Sequence, residues 1–137
     1  MNVGKYLRGE DRHVGTARVV NKGDEMTGSE LLELAAKAAG LNVKAHSVNA
    51  DDRWIGLIIG EKHTREKKFW NPLTNDGDAF RLAVDMGLLI EINKRMLGDT
   101  FVSSERYDLI EIHNDDPHAA TRLAIVRAAA QIGKDMK

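Results

Sequence analysis

Two aspartates on a tight turn are the first residues in this sequence whose types and spacing could do chemistry. Asp76 and Asp78 are separated by Gly77, and paired carboxylates on such a turn suit a hard divalent cation. The same acids also suit the positive N-terminus of a helix beginning there, where each contributes about 0.3–1 kcal/mol at an exposed site. We interpret them as helix-capping acids rather than metal ligands, with Arg81 reaching back to Asp78 or Asn71 to fix the loop.

A basic loop beside two aromatic residues is a candidate site for phosphate or nucleic acid. Its cations precede the pair Phe69 and Trp70, so they could grip phosphate while the tryptophan ring stacks on a base. The alternative is a solvated loop that keeps an edge strand from aggregating, with both aromatic rings anchored in the core. The candidate binding residues of this loop and the following turn are Lys62, Arg65, Lys67, Lys68, Trp70, Asn71, Asp76, Asp78 and Arg81.

Imidazole and carboxylate groups also cluster before the last helix. Possible metal ligands there are His113, Asp115, Asp116 and His118. However, Asp116 followed by Pro117 already has a complete explanation as a helix cap and the first helical residue. We therefore predict no metal site.

A repeated Ile-Glu-Ile pattern offers a pair of glutamates. Glu91 and Glu111 occupy the same position in the two repeats, so they could share a sheet face and act as acid and base. Glutamates in alternating strands more often line a polar face. The sequence also lacks a Ser-His-Asp pattern, a glycine-rich phosphate loop and a zinc-protease helix motif. We therefore predict no catalytic residue and no cofactor.

Alternating helices and strands must position these side chains, and the patterns predict the order α-β-β-α-β-β-β-α. The first helix begins at Thr27 or Ser29 and ends at Gly40. The second begins near Thr74, Asn75 or Asp76, buries Phe80, Ala83 and Val84, and ends at Gly87. The third runs from the Asp116 cap to about Ile132. Strands are predicted at 43–48, 54–60, 88–93, 100–104 and 107–113, with a polar loop at 61–68.

Composition excludes several classes of protein. The chain of 137 residues has 20 basic and 21 acidic residues, so no global field attracts nucleic acid or an anionic membrane. It has no cysteine, which excludes disulfide scaffolds and thiolate zinc sites. No apolar run is long enough to predict a transmembrane helix. We expect a protein of the cytoplasm.

The first 25 residues differ from the rest of the sequence. They are rich in glycine and charge and lack periodicity, so we predict a flexible arm at 1–25. Lys22-Gly23-Asp24-Glu25 precedes Met26, and codons for these residues can spell a ribosome-binding site. An internal translation start at Met26 and a genuine arm are both open hypotheses. Residues 26–137 are predicted to form a single domain.

Three segments together resemble a family of small bacteriophage and prophage proteins, those with the phage ABA sandwich domain. The segments are Trp70-Asn71-Pro72-Leu73-Thr74-Asn75-Asp76-Gly77-Asp78-Ala79-Phe80-Arg81-Leu82-Ala83-Val84, the helix at 31–40, and the alanine-rich ending from Asp116 to Ala130. The resemblance covers residues 26–133. It implies an α+β fold, a three-layer α/β/α sandwich whose mostly antiparallel central sheet of about five strands carries helices on both faces.

The resemblance implies a lineage rather than an activity. We expect a phage-encoded, non-enzymatic accessory protein in the host cytoplasm, which binds a host or phage protein and counters host defence. A nucleotide or nucleic acid bound through the 62–70 loop is a further expected partner. We expect no binding to a membrane. The alternative is a small metal-assisted nuclease or phosphohydrolase that uses Asp76 and Asp78, or the His113 group, with Lys67 or Lys68 holding phosphate.

Overall fold

The computed structural model describes residues 18–19, 26–60, 65–95 and 97–136. Within these ranges the chain forms seven strands and three α-helices, an α+β fold as predicted. The helices are α1 (Gly28–Ala39), α2 (Asp76–Met86) and α3 (Pro117–Asp135). The strands are β1 (Arg18–Val19), β2 (Asn42–Val48), β3 (Trp54–Gly60), β4 (Lys67–Trp70), β5 (Leu89–Asn93), β6 (Asp99–Ser103) and β7 (Tyr107–Ile112).

The strands form two separate sheets, so the prediction of one central sheet of five strands is wrong. Sheet I has the order β1-β7-β6-β5, and sheet II has the order β2-β3-β4. All neighbouring strands are antiparallel except β1, which runs parallel to β7. Helix α2 follows β4, and the chain then starts a second sheet instead of extending the first. Short-range periodicity marks strands such as β3 but carries no information about which sheet a strand joins.

The helices lie between the two sheets, which reverses the predicted arrangement of helices outside one sheet. Helix α3 packs on β6 and β7 of sheet I and also on α1 and α2, while α1 packs on β2 and β3 of sheet II. One core cluster joins Val102 and Leu109 of sheet I to Ala124 and Ala128 of α3. A larger cluster joins the other side of α3 to α1, α2 and sheet II.

Small residues make it possible for α3 to be covered on every side. Every residue from Ala124 to Gln131 is buried. Near its C-terminus, Gly133 approaches α1 so closely that an added Cβ would overlap the carbonyl oxygen of Leu34. A helix buried all round cannot show a clear apolar stripe, and alanine lets the neighbouring backbones come close.

Helix ends agree closely with the sequence prediction. Thr27 and Glu30 form a capping box on α1, in which each side chain accepts from the other residue's backbone N–H. The backbone N–H of Thr27 is the main reason that the pKa of Glu30 is lowered. Asp116 caps α3 by accepting from the backbone N–H of Ala119, and this bond lowers the pKa of Asp116. Gly40 ends α1 as predicted, and it does so in the left-handed conformation.

Three local predictions need correction or fall outside the described residues. The predicted polar loop at 61–68 includes the start of β4, which pairs with β3 through backbone bonds that need no apolar pattern. The predicted buried stripe of α2 is wrong at Phe80 and Val84, which are exposed, because the helix buries Ala79, Leu82 and Ala83 instead. The predicted arm at 1–25 lies outside the described residues except for β1. None of the described helices is both long and apolar enough to cross a bilayer.

Candidate functional site

The Asp-Gly-Asp turn is a structural joint between β4 and α2. Asn75 caps the helix by accepting from the backbone N–H of Asp78 at 2.8 Å. Asp78 is buried, and its carboxylate accepts from the backbone N–H of Asn71 at 3.0 Å and from Arg81 Nη2 at 2.8 Å. The predicted reach of Arg81 back to Asp78 is therefore present. Both oxygens of this carboxylate are engaged, which supports a fastening role for it.

Asn71 completes the joint. Its amide donates to the carbonyl of Ile55 in β3 at 2.7 Å, and its side-chain oxygen accepts from the backbone N–H of Leu73 at 2.9 Å. Asn71 is only 3% exposed, so it is not available to a ligand. Asp76, by contrast, is exposed and forms an ion pair with Arg122 of α3, whose Nη1 atom lies 2.6 Å from the carboxylate.

The tryptophan proposed to stack on a base is not exposed beside the described part of the basic loop. Lys62 lies outside the described residues, and Arg65, Lys67 and Lys68 are exposed. Trp70 is 4% exposed and belongs to the main core, so its ring cannot stack on a base. Phe69, predicted as a core anchor, is exposed on the other face of β4, because successive strand residues point to opposite faces.

The histidines and acids before α3 are not brought together. His113 is buried, and its Nε2 atom lies 2.8 Å from Thr100 Oγ1, whereas Asp116 caps the helix and His118 is exposed. Within the described ranges, no three histidine, aspartate or glutamate side chains lie close enough to share a metal ion. Of the acids and histidines in the predicted alternative, Asp76, Asp78 and His113 thus have structural partners of their own.

The two glutamates of the repeated pattern lie on opposite faces of sheet I. Glu91 pairs through Phe101 with Ile110, whereas Glu111 pairs with Thr100. Residues that are partners across antiparallel strands share a face, so the pairing of β5 and β7 with β6 separates the two acids. The prediction that they share a face is wrong. The buried Glu111 is instead paired with the guanidinium of Arg127 in α3.

A cleft of about 590 Å³ between α2, β5 and α3 is the strongest candidate site among the described residues. Its volume lies within the range of about 300–1,000 Å³ that small-molecule sites occupy. Most of its wall is apolar, from both helices and the strand. The apolar lining residues are Ala79, Phe80, Ala83, Ile90, Ile92, Pro117 and Ile125.

The cleft exists because α3 covers only part of sheet I. The helix packs on β6 and β7, and the inner face of the edge strand β5 is left partly open. Ile90 on that face reaches the core cluster, but Ile92, two residues further along, is 54% exposed. Across the cleft, Phe80 of α2 is 68% exposed. Large apolar side chains left open around a concavity are typical of a binding site.

Charged groups stand at one end of the cleft. Its polar lining residues are Asp76, Lys94, His118, Thr121 and Arg122. Arg122 is held in place because its Nε atom donates to the carbonyl of Leu73 at 2.8 Å and its Nη1 atom pairs with Asp76. Thr121 is hydrogen-bonded to Thr100 at 2.7 Å, which in turn contacts His113. Arg122 and Thr121 are thus held in place before any ligand arrives.

Sequence reasoning singled out Asp76 and His118, in other roles, but missed Lys94, Thr121 and Arg122. Lys94 and Arg122 stand in different elements, separated by two strands, so their proximity depends on the folding of sheet I around α3. The pattern of α2 gave no decisive signal, because Phe80 and Val84 form a second apolar stripe beside the one that the helix buries.

Comparisons with protein-family models, with curated proteins and with solved structures find no match to this chain.

Proposed function

We propose that this chain is a non-enzymatic binding protein, and that its partner occupies the cleft between α2, β5 and α3. The observation that carries the proposal is the apolar wall of the cleft, with Phe80 and Ile92 more than half exposed. Partly exposed apolar residues around a preformed concavity favour binding, because covering them removes apolar surface from water.

The proposal includes a biological setting that rests on the sequence resemblance. The three segments that resemble phage ABA sandwich proteins support a phage-encoded accessory protein, which acts in the host cytoplasm on a host or phage partner. Interference with a host defence suits a small protein that acts by binding, and the acids considered for catalysis serve here as helix caps and ion-pair partners. No arrangement of the described residues favours the metal-assisted nuclease or phosphohydrolase, so binding is the function that we put forward.

A matched pair of substitutions tests the binding site. Ile92→Asp places a charge in the cleft, whereas Ile112→Asp places the same charge on the opposite face of sheet I. The two isoleucines are 54% and 60% exposed, so neither change buries a charge. Tagged wild-type and variant proteins would be used for affinity capture from infected cells. A partner retained by wild type and Ile112→Asp but lost with Ile92→Asp supports the proposal; equal retention by all three contradicts it.

A further inference from the structure

The cleft has both an apolar part and a charged part, and they are separated along its length. On β5, Ile90 and Ile92 are followed by Lys94, and on α3 the polar residues Thr121 and Arg122 precede Ile125. Ile92 is paired with Thr100, and the hydroxyl of Thr100 bonds to that of Thr121. This bond sets Ile92 level with Thr121, so Ile90 lies toward Ile125 and Lys94 lies toward the N-terminus of α3, where Arg122 and His118 stand.

The side chains that line the charged end carry two cations, Lys94 and Arg122, and one carboxylate, Asp76, so the lining itself has a formal charge of +1 with His118 counted as neutral. The cap residue Asp116 lies outside the lining, although its carboxylate interacts electrostatically with Arg122. Arg122 uses Nε for the carbonyl of Leu73 and Nη1 for Asp76, and its Nη2 atom has no hydrogen-bond partner among the described residues. A guanidinium that is already oriented loses little entropy when it binds an anion.

From these features we infer that the cleft binds a small amphipathic organic anion. Its ring or chain would lie against Ile90, Ile92 and Ile125, and its acidic group would accept from Arg122 and face Lys94. The inference rests on the proposed function and narrows it from a binding protein to a chemical class of ligand. Charge complementarity at one end and an apolar wall at the other select an anion with an apolar body over a polar nucleotide or a neutral apolar segment.

Two dyes with the same ring system test this class. The first is 1-anilinonaphthalene-8-sulfonate, and the second is N-phenyl-1-naphthylamine, which lacks the sulfonate. Both become fluorescent in apolar surroundings, and each would be titrated into the native full-length protein. We expect the sulfonate to bind at one saturable site and the neutral dye to bind at least about threefold more weakly, as expected for one favourable charge contact near the surface.

Two substitutions that leave the fold in place change the charged end in opposite directions. Lys94→Gln removes an exposed cation and should weaken sulfonate binding about threefold, whereas Asp76→Asn frees Arg122 Nη1 and should strengthen it by a similar factor. Neither change should affect the neutral dye. Ile92→Asp should abolish binding of both dyes, and the matched Ile112→Asp should preserve it.

The outcomes separate this inference from the proposed function. The anion class is overturned if both dyes bind equally well, or if Lys94→Gln and Asp76→Asn leave sulfonate binding unchanged. In either case, loss of binding of both dyes with Ile92→Asp still supports the cleft as the binding site. No dye binding, together with a captured partner that depends on Ile92, overturns only the inference and favours a protein segment as occupant. Dye binding that Ile92→Asp leaves unchanged overturns the inference, because the dye then binds elsewhere.

Discussion

Replacing Asp78 by alanine should destabilise the protein by about 2–4 kcal/mol. The largest contribution is the buried backbone N–H of Asn71, which loses its acceptor and costs about 1–3 kcal/mol when left unpaired. Removing a negative charge from the N-terminus of α2 costs about 0.3–1 kcal/mol. The ion pair with Arg81 adds no more than about 1 kcal/mol, because the arginine side chain is 61% exposed.

Urea denaturation followed by tryptophan fluorescence measures this change, and the midpoint should fall by about 1–2 M. Arg81→Ala is the matched control, since it removes the ion pair but leaves the bond from Asn71, and it should cost less than about 1 kcal/mol. Equal losses for Asp78→Ala and Arg81→Ala would refute the reasoning. So would an unchanged stability accompanied by loss of partner capture, because Asp78 would then serve a ligand.

Two further predictions concern stability. Gly133→Ala should cost about 1–3 kcal/mol or more, because its methyl group meets the backbone of Leu34; a urea midpoint equal to that of wild type would contradict the close approach of α1 and α3. Acid should remove the stability contributed by Glu30 and Asp116, whose pKa values are lowered mainly by backbone hydrogen bonds. A carboxyl whose pKa is lower in the folded than in the unfolded state stabilises the protein fully above its unfolded pKa. This contribution is lost as the pH falls from about 4.5, the ordinary pKa of Glu30, through the lowered folded value. In urea titrations between about pH 6 and pH 3, the Glu30→Gln/Asp116→Asn double variant should lose less stability than wild type, and parallel losses would argue against it.

Features that depend on a few neighbouring residues were predictable from the sequence. The cap at Thr27, one of the two residues predicted for it, the proline-started helix after Asp116 and the extent of β3 all agree with the structure. Each is determined by side-chain bonds to the nearest turn or by an apolar run that ends at glycine. The fastening role of Asp78 was predictable for the same reason, because both of its partners lie within seven residues.

Features that depend on distant packing were not predictable. Glu91 and Glu111 occupy the same position in the two Ile-Glu-Ile repeats, but this could not reveal that they lie on opposite faces of sheet I. Their faces depend on how β5 and β7 each pair with β6. A stripe containing Phe80 is as good a helical pattern as the stripe that α2 buries, and packing against α3 makes the choice. The cleft follows from where α3 stops covering sheet I. No pattern along β5 alone states that its inner face stays open.

The position of α3 between the sheets has a consequence for how the molecule opens. Ala124 and Ala128 belong to the core of sheet I, and Ile125, Val126, Ala129 and Ala130 belong to the core that includes sheet II. If α3 separates from one sheet, its contacts with the other sheet are also disturbed. The most protected backbone amides of the two sheets should therefore exchange with solvent through one shared unfolding event. The end of β5 around Ile92, which α3 leaves more than half exposed, should open separately from that event.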